Sequence, residues 1–174
     1  MILGSLLILS ACSNNDEKDK NTKDQKSEAH MKHNDEIKVP EEMKSTNEGE
    51  FKAGDKVTIT AGHMPGMKGA EATVKGAYKT YAYVVSYKPT NGNKKVNNHK
   101  WVVNEEIKDA PKDGFSKGDT VKLEASHMSG MKGATANIDN VKKTTVYVVD
   151  YKSKDNGKIV KNHKWMTGNE LEAR

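Results

Sequence analysis

Long apolar runs and cysteine are both nearly missing from this 174-residue chain. The apolar stretch at the N-terminus, Ile2 to Leu9, is far shorter than the about 20 residues of a membrane-spanning helix, which excludes a transmembrane span there. Cys12 is the only cysteine, and no stretch shows convincing helical periodicity. If Cys12 is chemically modified, no thiol remains to act as a nucleophile. These absences favour an all-β protein that does not use thiol chemistry.

The N-terminal apolar run leads into Leu9-Ser10-Ala11-Cys12, which is typical of a lipobox. Small residues before a cysteine form the cleavage site of such a signal, and cleavage before Cys12 frees its amino group while the thiol carries diacylglycerol. We therefore expect residues 1–12 to be a processed signal and Cys12 to be the lipid anchor. A buried N-terminal strand with a core cysteine is the alternative, and the polar tail that follows at once argues against it.

Residues 13–50 carry seven lysines, eleven acidic residues and no aromatic residue. Such a segment cannot bury enough apolar surface to offset the conformational entropy lost on folding, so we predict a disordered stalk. The whole chain has a net charge of +5, so the part beyond this acidic stalk is basic. A basic surface suits weak association with anionic wall polymer or lipid headgroups, and export argues against a nucleic-acid partner.

One motif within the stalk contains metal-binding side chains. His30-Met31-Lys32-His33 could capture copper transiently, with Met43 further along the chain. Such a motif in a polar tail is more often merely solvated, and that is the interpretation we favour.

The rest of the chain is an internal duplication. Residues 51–107 align with 115–171 at a constant offset of 64 residues, without gaps and with 27 identities in 57 positions. Two passages stand out: His63-Met-Pro-Gly-Met-Lys-Gly-Ala70 returns as His127-Met-Ser-Gly-Met-Lys-Gly-Ala134, and Asn98-His-Lys-Trp101 returns as Asn162-His-Lys-Trp165. We predict a first repeat over 51–108, a linker over 109–114 and a second repeat over 115–174.

Strand signals fill both repeats. Apolar residues alternate with polar ones at Val57, Ile59 and Ala61, and at Tyr83, Val85 and Tyr87; the second copy repeats both patterns at Val121, Leu123 and Ala125 and at Tyr147, Val149 and Tyr151. Asn91-Gly92-Asn93 and Asp155-Asn156-Gly157 are hairpin signals between such runs. The order of turns and strands predicts two tandem small SH3-like β-barrels, one for each repeat.

The repeated loop brings an imidazole and two thioethers within five residues, as His63, Met64 and Met67 in the first copy. His99 and Trp101 have the spacing of one strand face, which would add a second imidazole and an indole. Thioether and imidazole without cysteine or clustered carboxylates favour Cu(I) over zinc, magnesium or calcium. The predicted metal ligands are His63, Met64, Met67, His99, His127, Met128, Met131 and His163, with Trp101 and Trp165 beside the metal.

A purely structural interpretation of the same residues stays open. Methionine commonly fills irregular cores, and a loop with Gly66 and Gly69 is retained between copies wherever the backbone turns sharply. His99 would then hold a turn, and Trp101 would be ordinary core. The joint retention of all five ligand-type residues, while neighbours such as Pro65 and Ser129 differ between the copies, favours the metal site.

Catalytic interpretations find little support. The histidines lack a repeated serine or paired carboxylates at suggestive positions, so we expect no enzymatic activity. Glu106 and Glu170 match between the copies but close each repeat, where we expect them to hold a structural turn. A different class of protein, a non-catalytic cell-wall-binding pair of SH3-like modules, is the alternative; it has no need for His63, Met64 and Met67 together.

The two motifs in tandem, behind a lipobox and a charged stalk, resemble the YdhK-like domain family of Gram-positive bacteria, and the layout is similar to that of staphylococcal copper-binding lipoproteins. This resemblance covers the repeats and the anchor. It implies extracellular copper binding that protects the cell from copper toxicity, and it further implies a copper-exporting ATPase as a partner. From the resemblance together with the lipobox, we expect a lipid-anchored monomer on the extracellular face of the membrane.

The lipobox generates the first testable prediction. Because a lipid on Cys12 would be the only membrane attachment, Cys12→Ala should abolish metabolic labelling with a fatty acid and leave unprocessed precursor. Labelling and gel mobility of the wild-type and variant chains measure this. Wild-type protein that takes up no lipid would rule out the anchor.

Overall fold

The computed structural model describes residues 39–174, and its regular elements are seven β-strands and two short 3-10 turns. The strands are β1 (Lys56–Ile59), β2 (Glu71–Tyr87), β3 (Val96–Val103), β4 (Thr120–Lys122), β5 (Thr135–Lys152), β6 (Ile159–Thr167) and β7 (Leu171–Ala173). The 3-10 turns, Asn104–Glu106 and Gly168–Glu170, follow β3 and β6. Within residues 39–174 there is no α-helix, and therefore no helix able to cross a membrane. The predicted signal and residues 13–38 of the predicted stalk lie outside this range. Residues 39–50 correct the prediction that the stalk is disordered as far as position 50, because Met43 is buried beside Trp101 and Trp165 and Ser45 forms a β-bridge with Tyr78.

The all-β class predicted from the alternating pattern is confirmed. Tyr83, Val85 and Tyr87 lie on β2, and their counterparts Tyr147, Val149 and Tyr151 lie on β5; all six are buried. The two hairpin signals also lie where they were expected. Residues 91–93 connect β2 to β3, and residues 155–157 connect β5 to β6, and both strand pairs are antiparallel.

The long strands β2 and β5, of 17 and 18 residues, pair antiparallel along almost their whole length. Their register runs from Ala72 opposite Tyr151 to Tyr87 opposite Ala136. The path of the sheet is β4-β5-β2-β1-β7, with β3 added along β2 and β6 added along β5. Because the pairing is antiparallel, the start of the first repeat lies beside the end of the second.

The hydrophobic cores also combine residues from the two repeats. The first core combines residues that precede position 78 with residues that follow position 146, among them Val57, Ile59, Met67, Tyr147, Val149 and Met166. The second core combines the remaining halves, among them Tyr83, Val85, Val102, Leu123, Met131 and Ile138. A third core contains Trp101 and Trp165 with Ala82, Val84, Val146 and Val148. Each of the three cores is therefore built from both repeats.

This arrangement corrects the prediction of two tandem SH3-like barrels, one for each copy. A single seven-stranded sheet runs through both repeats, and neither copy has a core of its own. The physical reason is that alternation along a strand shows which side chains are buried but does not show which strand lies alongside. Long strands in two similar copies can pair with each other as well as with their own neighbours.

The shared cores generate the second prediction. Ile59 is fully buried in the first core, whereas Ile159 is 60% exposed, so they form a matched pair. Ile59→Ala should lower the free energy of unfolding by about 2–5 kcal/mol, and Ile159→Ala by less than about 0.5 kcal/mol. Urea unfolding followed by circular dichroism and by tryptophan emission measures both variants. Because β2 and β5 enter both cores, the two signals should change in one transition; separate transitions, or equal losses for the two variants, would contradict this arrangement.

Candidate metal centre

The two repeated loops lie between short and long strands. His63 and Met64 are between β1 and β2, and His127 and Met128 are between β4 and β5. Each loop is held by the opposite repeat, since the Lys154 amide donates to the Gly66 carbonyl at 2.9 Å and the Thr90 amide donates to the Gly130 carbonyl at 2.9 Å.

Glycine is required at the tip of the first loop. Gly66 has a φ of +74°, a left-handed conformation that side chains rarely adopt. A Cβ at this position would also overlap Ser153 Oγ on the opposite repeat. The close approach of loop and neighbour therefore explains why this glycine is shared by both copies.

The loop histidine of the first repeat is anchored by a glutamate of the second. His63 Nε2 lies 2.8 Å from Glu170 Oε1, and because a carboxylate only accepts, Nε2 carries the proton. The other oxygen of Glu170 accepts from Trp101 Nε1 at 2.8 Å and from the Thr167 amide and hydroxyl at 3.0 Å each. We call the group of His63, Met64, Trp101, His163 and Glu170 the Glu170 site.

The second site repeats the arrangement with the roles of the copies exchanged. His127 Nε2 lies 2.8 Å from Glu106 Oε1, and Trp165 Nε1 donates to Glu106 Oε2 at 3.0 Å. The Val103 amide donates to Glu106 Oε2 at 3.3 Å, and Lys164 Nζ lies 3.4 Å from Oε1. We call the group of His127, Met128, His99, Trp165 and Glu106 the Glu106 site.

Both glutamates are ionised anions inside the protein. Burial raises the pKa of Glu106, but the His127 imidazole, Lys164 and the Trp165 N–H outweigh burial and lower that pKa to about 2. For Glu170, burial is likewise outweighed, by His63, the Thr167 amide and Trp101, and the pKa is about 2. The predicted turn role of both glutamates is correct but incomplete, because each carboxylate also orients an imidazole. Their retention in both copies was the one sequence signal for that role.

A second imidazole faces each loop histidine. The ring centroids of His99 and His127 are 5.9 Å apart, and those of His63 and His163 are 6.5 Å apart. Tyrosine rings flank the second imidazoles, with Tyr87 at 6.1 Å from His99 and Tyr151 at 5.7 Å from His163. The four predicted histidines of the two repeats therefore form two pairs, each pair drawn from both copies.

Three ring nitrogens in these pairs are buried without a hydrogen-bond partner among residues 39–174. They are His63 Nδ1, His127 Nδ1 and His99 Nε2. A buried polar atom that lacks a partner costs about 1–3 kcal/mol, so such atoms are few in native proteins. Each of these nitrogens is a site where a metal ion could bind.

The four methionines divide into two classes. Met64 and Met128 line a cavity of about 870 Å³ together with His63, His99 and Glu170. The Tyr87 hydroxyl donates to Met128 Sδ at 3.7 Å. Met67 and Met131 are fully buried in the first and second cores and do not line this cavity. The core-filler interpretation therefore describes the second methionine of each loop.

His99 and Trp101 were expected to share one strand face, but they lie in different surroundings. Trp101 packs in the third core and donates to Glu170, whereas His99 faces His127 in the Glu106 site. The strand is irregular here, because Asn98 has a φ of +53° and the Lys100–Trp101 peptide is cis. Each indole is therefore linked through a glutamate to the loop histidine of its own copy.

The described residues contain the two imidazole pairs but no metal-binding cluster of three or more histidine, cysteine or acidic side chains. Within residues 39–174, no three histidine, cysteine, aspartate or glutamate side chains are placed to hold one metal ion. Cys12, His30 and His33 precede this range. What the described residues offer is two imidazole pairs, each with a thioether at the cavity.

An all-β protein with two tandem copies that complete each other's sites is the class these observations define. The family model described as "Protein of unknown function (DUF1541)" matches residues 53–104 and 117–168, so the chain belongs to the DUF1541 family. This confirms the predicted resemblance to YdhK-like domains.

The relatives and solved structures agree with that assignment. The "Uncharacterized protein YdhK" of Bacillus subtilis (strain 168) is 52% identical over 178 residues, which cover 100% of this chain and 87% of YdhK. A crystal structure of a DUF1541 family protein (ydhK) from Bacillus subtilis is 58% identical, with a TM-score of 0.80 over 83% of this chain and 98% of that one. The solution NMR structure of the ydhK C-terminal domain is 63% identical, with a TM-score of 0.69 over 71% of this chain and 94% of that domain.

The burial of His99 generates the third prediction. Burial, together with the nearby His127 and His63, lowers the pKa of His99 from 6.5 to about 4. Between these two values the unfolded chain binds a proton that the folded chain does not, so stability should fall as the pH drops from about 6.5 to about 4 and then level off. The contribution of His99 is up to about 3 kcal/mol.

Urea unfolding of metal-free protein at several pH values measures this contribution. His99→Gln should reduce the slope of stability against pH in that interval, and the change in slope isolates His99 from other groups. In the unfolded chain Glu106 and Glu170 have the ordinary pKa of 4.5, and in the folded protein their pKa is about 2, so their contribution to stability is lost only as the pH falls from about 4.5 to about 2. Equal slopes for wild type and His99→Gln between pH 6.5 and 4.5 would contradict the prediction.

Proposed function

We propose that this protein binds Cu(I) at the Glu170 and Glu106 sites, without catalysing a reaction. The observation that carries the proposal is the state of the two loop histidines. Each donates Nε2–H to a buried glutamate and keeps Nδ1 buried without a partner in the described structure. An imidazole held in this way presents a lone pair in a defined direction.

A carboxylate behind an imidazole is a recurrent feature of metal sites. The hydrogen bond fixes the tautomer and the ring orientation, and it makes the ligating nitrogen more basic. Glu106 and Glu170 fulfil this role from the opposite side of the ring. They contact Nε2, which leaves Nδ1 as the nitrogen that would bind the ion. Coordination requires a neutral imidazole. A neutral ring that donates its single N–H from Nε2 to the glutamate keeps the lone pair on Nδ1 for the metal ion.

The spacing of the imidazole pairs fits one ion between two rings. Two imidazoles that bind a common ion at about 2 Å have ring centroids about 6 Å apart. The observed separations are 5.9 Å for His99 and His127 and 6.5 Å for His63 and His163. Met64 and Met128 line the same cavity as His63 and His99, so thioethers and one imidazole of each pair face a common space.

The ligand set selects the metal. Two imidazoles and a thioether provide low coordination with a soft donor, which suits Cu(I), whereas zinc favours four ligands and calcium or magnesium favour several oxygens. The absence of a three-residue cluster of histidine, cysteine or acidic side chains among residues 39–174 is in keeping with this choice. Met67 and Met131 are left out of the proposed ligand set because they pack in the cores.

The cellular role follows from the predicted anchor and the family resemblance. A chain lipidated at Cys12 would hold copper at the extracellular face of the membrane, lower the free copper concentration there and protect the cell. It would work alongside a copper-exporting ATPase. The Cu(I) sites support this role because thioethers are uncharged and cannot be lost to disulfides in an oxidising compartment.

The fourth prediction separates the two classes of methionine. Met64→Leu with Met128→Leu removes sulfur at nearly constant volume, so it should weaken Cu(I) binding by about tenfold or more and alter stability by less than about 1.5 kcal/mol. Met67→Leu with Met131→Leu is the matched control and should leave the affinity within about twofold. Anaerobic titration against a competing Cu(I) chelator measures all three proteins, on a Cys12→Ser chain that lacks the only thiol.

Two outcomes would overturn the proposal. The parent chain could fail to compete for Cu(I), in which case the buried imidazoles serve the fold alone. The core pair could weaken binding as much as the cavity pair, in which case the assignment of Met64 and Met128 is wrong. Zn(II) at equal concentration should displace little Cu(I), because it gains little from thioethers.

A further inference from the structure

The two sites are related by the internal repeat, but they differ in one buried charge. Lys164 is buried, with 9% of its surface exposed, and its Nζ lies 3.4 Å from Glu106 Oε1. Its counterpart Lys100 is exposed. Both ammonium groups lie over the indole of the following residue, at 5.3 Å for Lys164 and 5.4 Å for Lys100, so the local geometry of the two lysines is alike.

Lys164 pairs with the glutamate of its site, whereas Lys100 is exposed. Glu106 is neutralised by Lys164, whose charge also helps to lower the pKa of that carboxyl group. Glu170 instead accepts from His63, Trp101 and Thr167, all of which are neutral donors when the histidine is unprotonated. The ion-pair contact of Glu170 is with His63, at 2.8 Å. With both loop histidines neutral, Glu170 retains its negative charge, whereas Lys164 balances the charge of Glu106.

The loop tips also differ in charge, and this difference again makes the surroundings of the Glu170 site more negative. The loop that carries His63 passes close to Asp155, since a Cβ on Gly66 would lie 3.0 Å from Asp155 Cγ. The loop that carries His127 passes close to Asn91, since a Cβ on Gly130 would lie 2.7 Å from Asn91 Cγ. Asn91 and Asp155 occupy equivalent positions of the repeat. A carboxylate thus stands beside one loop where an amide stands beside the other.

The remaining charges at the cavity do not reverse this difference. Lys100, Lys158 and Lys161 line the cavity, and Lys142 lies over the Trp101 indole at 5.5 Å. All four are exposed, and exposed charges are screened by solvent and salt. Lys164 and Glu106 are buried, where charges interact more strongly. The electrostatic difference between the sites is therefore set by Lys164, because Asp155 is exposed as well and its charge is screened in the same way.

We propose that the two sites bind Cu(I) with unequal affinity, that the Glu170 site is the tighter one, and that Lys164 determines the difference. This inference rests on the proposed function. A monovalent cation at the Glu170 site balances the glutamate, whereas at the Glu106 site it adds a net positive charge beside a buried ammonium group. We expect an affinity ratio of at least about tenfold. The weaker site is then the one that releases its ion first.

Single-site variants of the full chain, in the Cys12→Ser background, test the ratio. His127→Asn leaves the Glu170 site intact, and His63→Asn leaves the Glu106 site intact. Anaerobic competition titration with Cu(I) alone should give tighter binding for His127→Asn by about tenfold or more. Emission of Trp101 and Trp165 then reports which site is filled, because each indole is hydrogen-bonded to one of the two glutamates.

Charge variants test the cause. Lys164→Met in the His63→Asn chain should tighten the remaining Glu106 site by about tenfold, while Lys100→Met in the His127→Asn chain is the matched control and should change the affinity less than about twofold. Asn91→Asp in the His63→Asn chain should also tighten binding, by a few-fold. This exposed substitution decides the matter if circular dichroism shows that Lys164→Met does not fold.

The outcomes distinguish this inference from the proposed function. Equal affinities of the two single-site chains would overturn the inference and leave Cu(I) binding established. A ratio that neither Lys164→Met nor Asn91→Asp reduces would also overturn it, because the asymmetry would not be electrostatic. Failure of the parent chain and of both single-site variants to bind Cu(I) would instead overturn the proposed function.

Discussion

The antiparallel ladder between β2 and β5 is the interaction on which the rest of the molecule depends. It brings the start of each repeat beside the end of the other, so each hydrophobic core is assembled from both copies. The loops at the ends of the short strands then meet the 3-10 turns of the opposite copy. A duplication that could have produced two independent units has produced one structure in which neither copy is complete.

The buried carboxylates of Glu106 and Glu170 each hold a histidine and a tryptophan of the other repeat in place. An ionised glutamate inside a protein is tolerated only when its oxygens are well hydrogen-bonded, and Glu170 is bonded to His63, Trp101 and Thr167. The same requirement explains why an indole and an imidazole recur together in each copy. The tryptophan satisfies one carboxylate oxygen, and the histidine uses the other to fix its tautomer.

Pseudo-symmetry between the copies does not make them equivalent. The backbone geometry, the glutamate contacts and the lysine-over-indole arrangement are shared, yet Lys164 is buried against Glu106 while Lys100 is exposed. Duplicated sites in one chain are free to diverge in charge while they keep one scaffold. Here that divergence requires no change in the repeated histidines and methionines, because they are identical in both copies.

Much of the fold, and the side chains that line the candidate site, could be predicted from the sequence alone. Alternation and turn residues gave the all-β class, the strands around Tyr83 and Tyr147 and both hairpins, since these depend on neighbours along the chain. The constant offset identified the duplication and singled out His63, Met64, Met67, His99 and their counterparts. The role of Glu106 and Glu170 in holding the imidazoles was missed, because an acidic residue at the end of a repeat has the same pattern whether it closes a turn or orients a ring.

What only the tertiary structure decided was which copy supplies which part. The pairing of β2 with β5, the division of the methionines into cavity-lining Met64 and Met128 and core-filling Met67 and Met131, and the burial of Lys164 all depend on contacts between residues far apart in the chain. Local sequence patterns determine whether a side chain faces inward or outward, because that follows from backbone periodicity. They do not determine its partner, because identical repeats offer each strand and each loop two equivalent choices, and long-range packing selects between them.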